Sequence, residues 1–229
     1  MEYPHNRPYT ADDLVRIITL LRDPVNGCPW DKVQTHTSIR MNFLEEAYEA
    51  VDALDLDDPV LMCEELGDVL MQVAFHTCME QETGRFTWEQ VCDGVCQKLI
   101  ERHPNIFGTQ PGYEGITDWD ALKNKEKGRR TLADDLESVP RAMPALMRAA
   151  KLQKRAARHG ADLQGADAAA LADAAKNLQT AQPASAQAEQ AVGELLFAAA
   201  NLARQAGVDP EQALQKANEA FCTAAGPVA

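Results

Sequence analysis

Between Glu45 and Asp68 the sequence has no lysine or arginine, yet it carries ten acidic side chains. Basic residues are scarce overall, 22 Lys and Arg against 35 Asp and Glu, for a net charge of −13 over 229 residues. That imbalance argues against nonspecific nucleic-acid binding, which needs cationic side chains to meet phosphates. The six cysteines (28, 63, 78, 92, 96 and 222) contain no C-x-x-C pair. Several sit in apolar helical patterns, where a reduced thiol acts as a small hydrophobe. No apolar run approaches the ~18 residues needed to span a membrane. MEYPHNRPYT lacks the basic and apolar regions of a secretory signal, so a cytoplasmic protein is expected. Strand-like alternation bounded by turns is also scarce, which leaves an all-α fold.

Helical periodicity then organises the chain. A first helix is expected over Ala11 to Arg22, with Leu14, Ile17, Ile18 and Leu21 on one face. The prolines and glycine of DPVNGCPWDKVQT break it. A second helix is expected from about Ser38 to Leu54. A third opens on the Asp58-Pro59 cap and runs to about Glu82, ending at Gly84. Thr87-Trp88-Glu89-Gln90 is a capping box for a fourth helix that stops before Pro104. A fifth is expected from Asp118 to Lys127, and Gly128 to Pro140 reads as a linker. Residues 161–190 are rich in Ala and Gln with few large apolar anchors. VGELLF and GVDPEQAL near the C-terminus resemble LGDVLM and GRFTWEQV in the same order, which suggests a diverged internal repeat.

The acids are unevenly placed on these helices. Glu46 and Glu49 are three apart on the second, and Glu65 and Asp68 are three apart on the third, so each pair shares a helical sector. On the third helix the stripe continues through Gln72 and His76, with apolar residues on both sides. Any one such glutamate reads most simply as a solvated face; that reading suffices for Glu45, Asp52, Asp55 and Glu64. Two pairs on consecutive antiparallel helices converge on one spot instead. Four converging carboxylates take up protons unless a divalent cation sits among them. Oxygen-only ligation suits Mg²⁺ or Mn²⁺ and argues against zinc.

EEAYE (Glu45 to Glu49) followed by EELGD (Glu64 to Asp68) resembles the E-E-x-x-E … E-x-x-D signature of the MazG family of nucleoside triphosphate pyrophosphohydrolases. GCPWDKVQT, KLIERHPNIFG, WDALKNKEK and SVPRAMPALMRAAKLQKRAARHG resemble further MazG blocks in family order. The resemblance implies an all-α fold of tandem MazG-like helical-bundle repeats. The first repeat would be catalytic over residues 1–130 and the second degenerate over 131–229. It also implies Mg²⁺-dependent (or Mn²⁺-dependent) hydrolysis of nucleoside triphosphates to monophosphate and pyrophosphate. By position, Glu46, Glu49, Glu65 and Asp68 would be the metal ligands, with Glu45 beside them as a water-orienting group. Lys98 and Arg102 match positions that contact the triphosphate, although a basic pair near a helix C-terminus is also explained by solvation. Trp119 matches a tryptophan beside the nucleotide. Trp30 has a core role and a substrate role equally open to it, and His103 reads as structural.

In the second repeat EELGD has become QAVGE, so Ala191 and Glu194 stand at the ligand positions, and no E-E-x-x-E precedes them. Ala220 stands opposite Lys98, and the chain ends before any counterpart of Trp119. One site per chain is expected. Other readings of the acids are a carboxylate-bridged di-metal bundle, which needs Glu-x-x-His motifs missing near the cluster, and an inactive nucleotide-binding or dimerisation scaffold. A homodimer or larger assembly is expected, through the apolar faces of the first and fourth helices. The C-terminal apolar residues Leu195, Leu196, Phe197, Leu202, Leu214 and Phe221 are expected to pack.

Overall fold

The computed structural model describes residues 3, 7–104, 106–108, 126–128, 131–161 and 165–226. Among these residues there is no strand, and the all-α expectation holds. The chain divides into two compact units, residues 1–116 and 117–229.

In the first unit each helix begins where a side chain can satisfy free backbone N–H groups. Helix α1 (Ala11–Leu21) opens on Thr10, paired with Asp13 in a capping box, and buries Val15 and Ile18. Its end feeds a tight loop. The Gly27 N–H bonds Asp23 O at 2.9 Å and the Cys28 N–H bonds Leu21 O at 2.8 Å. A Cβ at Gly27 would lie 2.4 Å from both Asp23 O and Leu21 O, so only glycine fits there. A short 3₁₀ turn (Asp31–Val33) follows.

Helix α2 (His36–Leu56) starts two residues earlier than its apolar pattern suggested, because Thr35 and Ser38 form a capping box. It ends on Asp57 in the left-handed region (φ 54°). Asp58 then caps α3 (Pro59–Glu82), accepting from the N–H groups of Val60 and Leu61. With so short a turn the two helices run antiparallel: His36 meets His76 and Glu80, Phe43 meets His76, and Glu46 meets Gln72. Gly84 (φ 69°) closes α3, with the Arg85 N–H reaching back to Glu80 O. Helix α4 (Trp88–Arg102) opens on the expected Thr87–Gln90 box.

The core of this unit joins Val15 and Ile18 of α1, Ile39 of α2, Ala74, Phe75, Cys78 and Met79 of α3, and Trp88 of α4. Everything buried on α3 lies at or beyond Gln72. Its first half therefore stays open for polar chemistry while its second half anchors the unit.

The second unit corrects several expectations. Inside the stretch expected as linker lies helix α5 (Leu132–Glu137), opened by a Thr131–Asp134 capping box. Its Asp135 is buried between Arg155 and His159 of the following segment, 3.0 and 3.2 Å away, and Val139 is buried just beyond it. Helix α6 (Ala145–Arg158) carries Arg155, which also donates to Asp135 O and Ser138 Oγ. Helix α7 (Ala168–Thr180) occupies the Ala-rich stretch and packs closely on α8 (Ala186–Gln205). Ala174, Ala191 and Ala198 are buried; small side chains let the helices approach without large anchors. Helix α9 (Pro210–Ala225) opens on an Asp209-Pro210 cap and buries nothing. It rests on α6 and α8, but the packing expected of the C-terminal apolar residues is only partial among the described residues: Leu195 and Leu202 of α8 are half-buried, whereas Leu196 and Phe197 of α8 and Leu214 and Phe221 of α9 stay exposed. The helix expected over Asp118 to Lys127 lies almost wholly outside the described residues.

Candidate functional site

Helices α2 and α3 face each other along a polar seam at the end of the hairpin away from the core. There Glu46, Glu49 and Glu65 each offer a carboxylate oxygen, all within 4.8 Å of one another. Among the described residues this is the one such group of acids, histidines or cysteines. Glu46 and Glu65 are half-buried and Glu49 is exposed. Asp68 lies outside the group of three, but its charge acts on two of them. Burial, then Asp68 and Glu49, push the Glu46 carboxyl above the ordinary glutamate value; the Gln72 hydrogen bond opposes this. Burial, then Glu49, Asp68 and Glu64, push Glu65 the same way.

Carboxyls raised by burial and by one another's charge are ones that a divalent cation among them would stabilise in the ionised form. The donors are hard oxygens from facing helices, with no thiolate or imidazole among the three. They fit an oxygen-coordinated divalent ion such as Mg²⁺ or Mn²⁺. Glu45 is on the exposed side of α2.

Above the cluster, towards the core, the seam continues through Gln72, which is only 6% exposed and donates from Nε2 to Glu46 Oε1 at 3.4 Å. Next come His76 and His36, stacked with centroids 5.0 Å apart and Nδ1 atoms 2.8 Å apart. Burial, then His36, depresses the His76 pKa. His36 Nε2 lies 2.6 Å from Glu80 Oε1, an ion-pair distance outside good hydrogen-bond geometry. Glu80 in turn pairs with Arg85. The sequence stripe contained Gln72 and His76 but gave them no part; their periodicity with Glu65 and Asp68 was the available signal.

The remaining predicted residues are spread more widely. Lys98 is exposed and Arg102 half-buried, one turn apart on α4. Trp119 lies outside the described residues. Trp30 is 56% exposed and lies edge-to-face with Phe75, ring centroids 6.4 Å apart, so it is not a core residue. Its loop is held from beneath by Arg22, which no local pattern singled out. Arg22 is 8% exposed, forms a two-pronged pair with Glu82, donates to Asp31 O and Gln34 O, and lies over the Phe75 ring.

Comparison with known proteins matches residues 34–107 to the model of the MazG nucleotide pyrophosphohydrolase domain. That span contains α2, α3 and α4, and with them the whole carboxylate cluster. Over 219 residues the chain is 40% identical to a nucleoside triphosphate pyrophosphohydrolase of Escherichia coli K12, covering 92% of this chain and 83% of that protein. It is 40% identical over 212 residues to the nucleoside triphosphate pyrophosphohydrolase/pyrophosphatase MazG of Thermotoga maritima, covering 92% and 82%. A Mycobacterium tuberculosis nucleoside triphosphate pyrophosphohydrolase is 34% identical over 154 residues, covering 66% of this chain and 46% of that protein. With its helical hairpin, its converging carboxylates and this likeness along nearly its whole length, the chain belongs to the MazG family of nucleotide pyrophosphohydrolases.

Proposed function

We propose that this protein hydrolyses nucleoside triphosphates, canonical or damaged, to the monophosphate and pyrophosphate at the carboxylate cluster of its first unit. The observation that carries this reading is the meeting of Glu46, Glu49 and Glu65 within 4.8 Å on a hairpin of this family. Those products require water to break the anhydride bridge between the α and β phosphorus atoms. Glu46, Glu49, Glu65 and Asp68 would hold Mg²⁺ or Mn²⁺. A divalent cation there neutralises phosphate oxygens and polarises phosphorus. Glu45 stands beside the ligands as a group to orient water. Lys98 and Arg102 are suited to neutralise the triphosphate from α4, and positioning with charge stabilisation supplies most of what such chemistry needs. Trp30, exposed on its braced loop, and Trp119 offer flat faces for the base.

Within the second unit, the chain from about residue 131 is read as a degenerate copy of the catalytic repeat formed by residues 1–130. The junction between α8 and α9 resembles that between α3 and α4: Gly207 has φ 71° as Gly84 has φ 69°, the Val208 N–H reaches Ala203 O as the Arg85 N–H reaches Glu80 O, and a side chain, Asp209, caps the next helix. Ala191 and Glu194 leave it without the ligand set. We also propose a homodimer or larger homo-oligomer. On α1 Ile18 is buried in the core but Leu21 is exposed, and on α4 Val95, Leu99 and Ile100 are exposed, so both helices offer apolar surface for that contact, α4 the more. A nucleoside triphosphate substrate pool fits a cytoplasmic location; among the described residues no helix is long and apolar enough to cross a membrane.

Pyrophosphate release from each canonical and damaged nucleotide, with Mg²⁺ and with chelator, tests the activity. Glu49→Gln and Asp68→Asn should abolish turnover while the helical circular dichroism is retained. Undiminished release by either variant would refute the site, and a wild-type protein that binds nucleotide without turnover would make it a scaffold.

A further inference from the structure

Gln72 occupies the boundary between the apolar half of α3 and its acidic half, and it is the first buried residue of that helix. It is neutral, 94% withdrawn from solvent, and its Nε2 donates to Glu46 Oε1 at 3.4 Å. The opposite amide orientation would set a carbonyl against the Glu46 carboxylate, so chemistry fixes the donor towards Glu46. The amide oxygen is buried and has no hydrogen-bond partner among the described residues. Leaving a buried acceptor unpaired is unfavourable, and a leucine or methionine would fill the same place at the core boundary without that cost. The retained amide therefore points to a task outside folding.

We infer that Gln72 is a positioning residue for the proposed cation site: its buried amide holds the Glu46 carboxylate in the group that it forms with Glu49 and Glu65. This rests on reading the cluster as a cation site. Glu46 is the ligand farthest from the α2–α3 turn and closest in level to the packed core. The groups acting on its carboxylate are the acids Asp68 and Glu49 and the Gln72 amide. A neutral donor can orient it without competing for the ion, whereas a lysine at this place would neutralise the cluster. The unpaired amide oxygen remains an acceptor beside the cluster, able to take a hydrogen bond from a bound water or substrate hydroxyl. Partners of this kind behind a metal ligand typically change metal affinity by about 10–100-fold when removed. The 3.4 Å separation is long for a hydrogen bond, which favours the lower end.

The test is calorimetric titration of the full chain with Mn²⁺ in the absence of nucleotide, supported by metal-activation kinetics. Gln72→Met keeps the volume and removes the donor; Gln72→Asn keeps an amide but withdraws it by one methylene. Both should bind Mn²⁺ about tenfold more weakly. The Mn²⁺ concentration for half-maximal turnover should rise similarly. Wild-type affinity in either folded variant overturns the inference, as does a lowered melting temperature with unchanged affinity, which would make Gln72 purely structural. Glu49→Gln separates the two levels. Loss of Mn²⁺ binding there with wild-type binding in the Gln72 variants overturns only the positioning role. Full Mn²⁺ binding by Glu49→Gln overturns the cation site itself.

Discussion

Replacing Arg22 by methionine should destabilise the protein by about 2–4 kcal/mol, and the structure shows which contacts dominate. The guanidinium donates to Asp31 O at 2.7 Å and to Gln34 O at 3.2 Å, the two ends of the turn that carries Trp30 towards α2. Hydrogen bonds from a charged donor contribute about 1.5–3 kcal/mol each, and both carbonyls lose theirs at once. The Glu82 pair contributes less. Glu82 is 45% exposed, so solvent screens it and about 0–1 kcal/mol is appropriate. Contact with the Phe75 ring at 5.3 Å adds about 0.5–1 kcal/mol. Removing a buried charge also relieves its desolvation, which offsets several kcal/mol of these losses and brings the net down to about 2–4 kcal/mol. For a chain of this size, about 3 kcal/mol lowers the melting temperature by about 6–12 °C. Thermal unfolding followed by circular dichroism measures it, with trypsin cleavage at Lys32 reporting release of the loop. Glu82→Gln removes only the screened pair and should cost about 1 kcal/mol or less. If Glu82→Gln were as damaging as Arg22→Met, or Arg22→Met were as stable as wild type, the assignment of the loop's stability to the carbonyl contacts would be wrong.

Two further outcomes are expected. Glu46 and Glu65 have raised pKa values when folded, so just above the ordinary glutamate range the folded state holds more protons than the unfolded state. Stability in chelator therefore falls as pH rises through that range, whereas a divalent cation favours the deprotonated cluster and offsets the loss. The melting-temperature gain from Mg²⁺ should accordingly grow from about pH 5 to about pH 7 and vanish in Glu65→Gln; an equal gain at both pH values, or one kept by the variant, would contradict this. Light scattering should give a dimer or larger, and Leu99→Glu on the exposed α4 face should dissociate it; a fully active monomer at assay concentration would refute the proposed assembly.

Local chemistry was legible in the sequence because it acts within about one helical turn. Thr87 and Gln90 cap α4, and Asp58 and Pro59 open α3, through contacts no more than three residues long. The two acid pairs were visible for the same reason: three residues fix a shared face whatever surrounds the helix. What a single helix cannot fix is its rotation against a neighbour. Packing decided that Glu46, Glu49 and Glu65 converge while Asp68 stays outside that group and acts through its charge. Packing likewise turned Gln72 inward and left Trp30 in solvent. In the second unit, alanine hid α7 from a reading based on large apolar residues, since close helix approach depends on small side chains rather than anchors. Asp135 looked like linker polarity until Arg155 and His159, some 20 and 24 residues away, enclosed it. Phe221 looked like core and is 74% exposed, because apolar periodicity says which face of a helix seeks a partner and tertiary structure says whether this chain supplies one.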